Sequence, residues 1–500
     1  MEKLIEYYIE KEAIKLRDRH QNYHNGVHLE YERNLKRIGN PDPKKIFTPE
    51  CWNVDKKFNP FYVLKNKKAI AKAIAKRLAD GSYKPNPPYV KEIPKKGGKG
   101  TRTIAVYQIP DAAVSNYLYN RLLGKNKHRF SSLAYAYRDD RNAHFAVQDI
   151  SLELSKYSRV FISEFDFKDF FGSIDHKYLL EQLNENGFYV SEFEKELIKT
   201  FIEINDKGIP QGTSISLFLA NIVCWELDKR LELEGLRFAR YADDTIIWST
   251  DYSKITKSFD IIAKFSNEAR IDLNISKSDG ISLLRKEGMP SEISQTKESF
   301  DFLGYKIYVD RVGIKDQSVK RIKQQISYLL YRNLIQPLDG NNRATIIVPN
   351  ASNNDPSFVT AIMQIRRYLY GNLDDQKLAR YIDGTYTRLA FKGIMSYYPL
   401  ITDIEQMKEL DSWLFNTIWN SIKLRERAFK DSKNINVSGF FPYNCSRDDF
   451  LRVCRNKRVN GKRYKIQIPS FKRIHLAMKK GLVDVGIERT MNPNASHYDY

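Results

Sequence analysis

Residues 237–250 read Arg-Phe-Ala-Arg-Tyr-Ala-Asp-Asp-Thr-Ile-Ile-Trp-Ser-Thr. Two apolar runs flank the acidic pair Asp243-Asp244, which predicts a hairpin with two carboxylates at its tip. Tight turns also favour aspartate for backbone reasons alone, so the pair takes its meaning from what precedes it. At 160–174 a strand of alternating character, Val160-Phe-Ile-Ser-Glu-Phe-Asp166, ends in an aspartate, and an aromatic residue, Phe171, follows five positions later. At 208–214 a glycine-punctuated loop, Gly-Ile-Pro-Gln-Gly-Thr-Ser, opens an apolar helix over 215–227.

These carboxylates suit phosphoryl transfer. That chemistry asks little covalent help of a protein but needs divalent cations at the attacking and leaving oxygens. Hard Mg²⁺ takes two or three carboxylate oxygens from rigid elements and completes its shell with substrate phosphates and water. An aspartate at a strand end and an acidic pair on a neighbouring hairpin are the residue types for that task.

The rest of the chain agrees with such a partner. It has 82 Lys+Arg against 61 Asp+Glu, a net charge of +21, and so much positive charge on a folded body points to a polyanion. At 500 residues it exceeds one hydrophobic core, so two to four structural units are expected. The longest apolar stretch, Ile215 to Trp225, is interrupted by Ser216 and Asn221. No membrane-spanning helix is expected. The amphipathic, charged start at residues 1–20 is not a signal peptide, so the expected compartment is the cytoplasm. Four cysteines without a CxxC pair read as free thiols. His20, His24 and His28 stand four apart, but Gly26 is expected to interrupt their helix, and they read as solvated side chains rather than a metal site. The insert 340–357 reads as a loop.

Taken together, Asp166, Pro210-Gln211-Gly212 and the Tyr241-Ala-Asp-Asp244 box resemble the palm of reverse transcriptases. The resemblance extends outward. Ile93-Pro-Lys-Lys with Thr101-Arg102 resembles the basic fingers hairpin of intron-type enzymes, and Ser132–Arg138 with Arg141–His144 resembles their "SYGFR…RSAH" block. Asp272–Lys277 looks like the lysine-bearing segment after the acidic hairpin, and Phe302-Leu-Gly-Tyr305 like the primer-grip turn.

The resemblance implies an α+β right-hand polymerase fold, with fingers and palm followed by a helical thumb and a basic C-terminal extension. The expected division is a helical region at 1–80, fingers and palm at 81–310, thumb at 311–430 and extension at 431–500. It implies that Asp166 and Asp243 hold two Mg²⁺ ions, with Mn²⁺ as a substitute, that Asp244 assists, and that the Phe167 carbonyl adds a ligand. Arg102 and Lys96 would grip the triphosphate, and Gln211, Gly212 and Tyr241 would line the nucleotide. Phe171 would stand as a steric gate against a ribose 2′-hydroxyl, with Phe170 beside it as the buried ring, or else Phe171 is an ordinary core aromatic. Lys277 would protonate pyrophosphate, or else is a surface lysine.

The segment 451–480 carries 11 Lys+Arg and no acid, and with Tyr464, Phe471 and His475 it is expected to bind an RNA backbone and stack bases. No endonuclease, RNase H or integrase block is recognisable. The chain is therefore most similar to bacterial defence-associated reverse transcriptases, RNA-directed DNA polymerases that make cDNA. The expected partners are dNTPs and a template, a structured noncoding RNA, with a homo-oligomer left open. Two alternatives stand: a retron-like or intron-derived enzyme of a mobile element, and a non-catalytic RNA-binding protein with a polymerase fold.

Overall fold

The computed structural model describes residues 1–500 apart from 39–40, 95–99, 205, 279, 292, 339–353, 434, 460, 465 and 497–500. A helical N-terminal part, Glu2–Ile38 and Pro60–Ala79, leads into the hairpin β1 (Tyr89–Pro94) and β2 (Thr101–Val106), then the helix Ile109–Asn126. Asn59 caps the second of these helices and Pro60 opens it, where a missing N–H costs nothing.

The first helix runs unbroken through Gly26, contrary to the expected interruption. One exposed glycine costs a helix only about 1 kcal/mol, and the preceding turns pack closely on Pro60–Ala79 and Ile109–Asn126. His20 lies on Trp52, 4.8 Å between ring centroids, and His28 faces Glu32. Among the described residues neither belongs to a group of three potential metal-ligating side chains.

The central sheet has five strands in the order β4-β5-β3-β6-β7: β3 (Arg159–Phe165), β4 (Arg237–Tyr241), β5 (Asp244–Ser249), β6 (Ser282–Arg285) and β7 (Thr296–Lys297). It separates two cores. Ile246 and Trp248 of β5, with Val160 and Ile162 of β3, face one; Ile247 and Phe165 face the other. Apolar residues on both faces of β5 match a strand covered on both sides.

A second sheet, β8 (Ser299–Phe302), β9 (Tyr305–Tyr308) and β10 (Val312–Ile314), follows. It ends at Ile314, so the expected boundary at 310 falls inside it. Beyond it the chain is helical, through Asp316–Leu330, Pro356–Tyr370, Asp375–Ile382 and Ile404–Lys433. The expected loop 340–357 lies outside the described residues up to 353, and its last two residues already belong to the helix that Asp355 caps.

The described residues of the C-terminal part, among them Val437, Phe450, Phe471 and Met491, share one core with these helices. The buried Arg425 guanidinium donates to Asp355 and to the Leu334 carbonyl, both at 2.7 Å, and the Tyr443 hydroxyl donates to the same carboxylate. Arg473 pairs with Asp375. Phe471 and His475, expected to stack bases, are core residues at 0% and 3% exposure. Burial pushes the His475 imidazole down to about 4. They sit inward because the helix Phe471–Val485 is amphipathic and turns that face onto Ile404–Lys433. Among the described residues no helix is long and apolar enough to cross a membrane, and all four cysteines are free thiols. The architecture is a right-hand polymerase fold.

Candidate active site

The strand β3 delivers Asp166 to the end of the sheet, and a neighbouring segment pins it there. Asn274 N donates to the Asp166 carbonyl at 2.8 Å, and Lys168 N to that of Asp272 at 2.8 Å. Residues 272–274 thus run antiparallel to 166–168 and bring their side chains to the carboxylate. The Asn274 amide donates to Asp166 Oδ2 at 2.7 Å, and the Lys277 ammonium stands 2.9 Å from the same oxygen.

The acidic pair comes from the β4–β5 hairpin. Tyr241 pairs with Asp244, leaving Ala242-Asp243 as a two-residue turn. Ala242 holds φ of +62°, a region that costs a residue with a Cβ roughly 1–3 kcal/mol. A buried ion pair supports it. Arg240, wholly enclosed, makes two 2.6 Å bonds to Asp228 and donates to the Ala242 carbonyl at 3.1 Å and to Asn221 at 3.3 Å. The strand itself is fixed by exchange of bonds with residues 133–135: Arg240 N donates to the Leu133 carbonyl and Tyr135 N to the Arg240 carbonyl.

The loop 208–214 forms the opposing wall. Ile209 N donates to the Phe171 carbonyl at 2.8 Å, and Ala105 N on β2 donates to Gln211 O at 2.7 Å. A Cβ at Gly212 would lie 2.7 Å from the Ala105 carbonyl, and φ there is +118°. Only glycine fits so close to the strand.

These elements enclose a cavity of about 690 Å³ lined by Arg102, Asp166, Phe167, Phe171, Gln211, Asp243 and Lys277. Phe171 is buried against Tyr137, edge to face at 6.2 Å, and still forms part of the wall. Three other expected residues do not line it: Asp244 opens β5, Tyr241 closes β4, and Gly212 lines a neighbouring cavity. Lys96 lies outside the described residues.

Burial raises the Asp243 carboxyl, and the Asp166 charge raises it further, against Lys277 and Arg102. Burial, with Asp243, Asp166 and Glu164 nearby, pushes Asp244 up to about 7. Among the described residues no three carboxylate, imidazole or thiol groups converge to enclose an ion by themselves. Two aspartates facing one cavity, with Asp243 raised by burial and by the Asp166 charge, fit a hard cation that completes its shell with substrate oxygens.

Asn274, the Arg240–Asp228 pair and Glu164 were not singled out from the sequence. A charged residue in the middle of an apolar strand was the available signal for Arg240, and the two-residue spacing from Asp166 was the signal for Glu164. Lys297 meets Glu164 at 2.7 Å.

Residues 93–307 match the family model described as reverse transcriptase (RNA-dependent DNA polymerase). The chain is similar to the retron Ec73 reverse transcriptase of Escherichia coli, at 28% identity over 294 residues, covering 56% of this chain and 86% of that protein. It is also similar to the group II intron-encoded protein LtrA of Lactococcus lactis subsp. cremoris, at 24% identity over 280 residues. That match covers 53% of this chain and 45% of the intron protein, less than half its length. Among solved structures, apo telomerase from Candida tropicalis aligns with a TM-score of 0.40 and 12% identity, over 88% of this chain and 69% of that one.

Proposed function

We propose that this chain, whose residues 93–307 are a reverse transcriptase domain and which is an RNA-directed DNA polymerase, copies a partner noncoding RNA into cDNA as part of a cytoplasmic antiphage defence. The observation that carries the catalytic part is the convergence of Asp166 and Asp243, from two strands of one sheet, on a pocket shared with Arg102 and Gln211. In this reading residues 1–80 buttress the fingers, 81–310 are fingers and palm, 311–430 the thumb and 431–500 the extension.

Asp166, Asp243 and the Phe167 carbonyl would hold two Mg²⁺ ions, with Mn²⁺ able to replace them and Asp244 acting from behind. Such ions, when bound, stabilise charge on the attacking 3′-oxygen and the departing pyrophosphate. The protein's own groups do the rest. Arg102 grips the triphosphate as a fixed planar cation. Phe171 closes the space that a 2′-hydroxyl would need. Lys277 gives a proton to the pyrophosphate oxygen as it leaves, and Asn274 holds the Asp166 carboxylate in one orientation.

The defence role rests on the resemblance to defence-associated enzymes and on a C-terminal body built into the thumb. Similarity to a retron enzyme favours a second reading, a retron-like element with its own RNA. Primer extension on an RNA template, compared with Asp243→Asn, tests the activity. Sequencing the RNA and DNA that co-purify with the protein identifies the template. Plaque counts on cells carrying wild type or Asp243→Asn test the defence role: equal counts overturn it.

A further inference from the structure

The fold buries Phe471 and His475 but leaves the cations that precede them outside: Arg455, Arg458, Lys462 and Arg463 are exposed and Lys457 is half-buried. A short antiparallel hairpin, β11 (Arg458–Val459) and β12 (Lys462–Arg463), presents them. Val459 anchors the hairpin in the core, Gly461 takes φ of +76° at its turn, and Tyr464 N donates to the Lys457 carbonyl at 2.6 Å. The pairing sets Arg458 directly opposite Arg463. Like charges in that relation oppose strand pairing, and no acid of the protein relieves them. Residues 451–480 hold none, Asp449 pairs with Arg452, and among the described residues Arg458, Lys462 and Arg463 make no ion pair.

Beside the hairpin lies a cavity of about 420 Å³ lined by Asn354, Lys457, Arg463 and Tyr464, two cations and no acid. Its ring is fixed. Tyr464 lies on Phe441, 4.8 Å between centroids, and Phe441 is itself buried against Phe358 and Phe450. The Cys445 thiol donates to the Tyr464 hydroxyl at 3.8 Å. Asn354 pairs with Phe441 through the backbone, and Asp355 N donates to the Phe441 carbonyl at 2.8 Å.

We propose that this hairpin and its cavity bind an unpaired stretch of the partner RNA, with phosphates on Arg458, Lys462 and Arg463 and one unstacked base against Tyr464. The proposal rests on the reading of a partner RNA and says where the chain holds it. Phosphates between the opposed arginines turn their repulsion into attraction, and planar guanidinium groups take phosphate oxygens in pairs. Unpaired RNA splays its bases onto aromatic rings and guanidinium planes, whereas a duplex keeps them stacked inside. The Asn354 amide carries both a donor and an acceptor for a base edge. None of these residues lines the nucleotide pocket, and all lie outside the reverse transcriptase domain at 93–307, so the site belongs to this chain's own extension.

The test uses the full chain and a short oligo(U) RNA carrying 4-thiouridine, with an equimolar RNA–DNA hybrid present to occupy the polymerase cleft. After irradiation a cross-link on the peptide containing Tyr464 is expected; cross-links confined to other peptides overturn the site. A variant with Arg458→Gln, Lys462→Gln and Arg463→Gln is expected to bind oligo(U) about tenfold more weakly, its slope of log K against log salt lower by about 2, since each lost phosphate contact removes about 0.7. Its melting temperature should hold or rise, because the opposed charges are gone. Unchanged affinity and slope overturn the proposal. Tyr464→Leu keeps an apolar side chain on Phe441 and is expected to lower the preference for oligo(U) over a blunt RNA duplex about tenfold; an unchanged preference overturns the base pocket. Retention on phosphatidylserine vesicles without a cross-link at Tyr464 would assign the charge to a membrane and overturn the RNA site. Extension of an oligo(dT) primer on poly(rA) is expected to be unchanged in both variants, and its loss would place these residues in the polymerase cleft and overturn a separate site. If no RNA co-purifies with the wild type, the partner-RNA reading fails, while a Tyr464 cross-link still supports the binding site.

Discussion

The Lys277 ammonium stands 2.9 Å from Oδ2 of Asp166, across 111 residues of chain. A lysine on a turn after the acidic hairpin thus shares an oxygen with the strand aspartate, and the Asn274 amide donates to that same oxygen. Removing the carboxylate charge should stop nucleotide addition while sparing the fold. Asp166→Asn and Asp243→Asn are expected to reduce extension by more than a hundredfold. The melting temperature should hold or rise in Asp243→Asn, because burial and the Asp166 charge already disfavour the Asp243 carboxylate. Extension at a tenth of the wild-type rate would refute the assignment.

Lys277→Ala should lower kcat by roughly 10²–10⁴ while leaving KM for dNTP within a few-fold, the pattern of a lost proton donor. Single-turnover kinetics across pH separates this from a surface role, which would leave kcat unchanged.

Phe171→Ala should admit ribonucleotides. The ring is packed on Tyr137 yet lines the cavity that Asp166 and Asp243 share, so in the proposed reading truncation opens space where a 2′-hydroxyl would sit. The ratio of dNTP to rNTP incorporation is expected to fall at least tenfold. An unchanged ratio with surviving activity would make Phe171 a core residue alone.

Arg240→Met should destabilise the protein by about 3–5 kcal/mol, because it strands the buried Asp228 without its partner. Combining it with Asp228→Leu should recover most of that stability. Extension should stay low in the double variant, since nothing then holds the Ala242 carbonyl at the turn. Urea melts and extension assays on both variants read the two effects apart.

His144 is buried against Tyr305, whose hydroxyl lies 3.0 Å from its Nδ1, and burial pushes the imidazole down to about 4. Its folded value lies below the unfolded value near 6.5. Between pH 6.5 and 4 the unfolded chain therefore binds a proton that the folded chain refuses, and stability falls as pH drops. His144→Gln should flatten that slope by up to one proton, about 1.4 kcal/mol per pH unit. Urea melts at several pH values with an unchanged slope would refute this account.

The sequence by itself determined the fold class and the identity of the two pocket aspartates. The alternating strand before Asp166 and the apolar runs around Asp243-Asp244 read as strands of one sheet, and Asp166 and Asp243 stand where those strands end. Gly212 was legible too, as a loop residue with no Cβ to fill. Only the tertiary structure decided which side chains support them. Asn274 reaches Asp166 across 108 residues, and Arg240 finds Asp228 inside a core that no local pattern announces. It also moved Phe471 and His475 inward, because the face a helix buries depends on what packs against it. Periodicity encodes what a segment is, whereas long-range partners are set by how segments pack, and that information is spread over the whole chain.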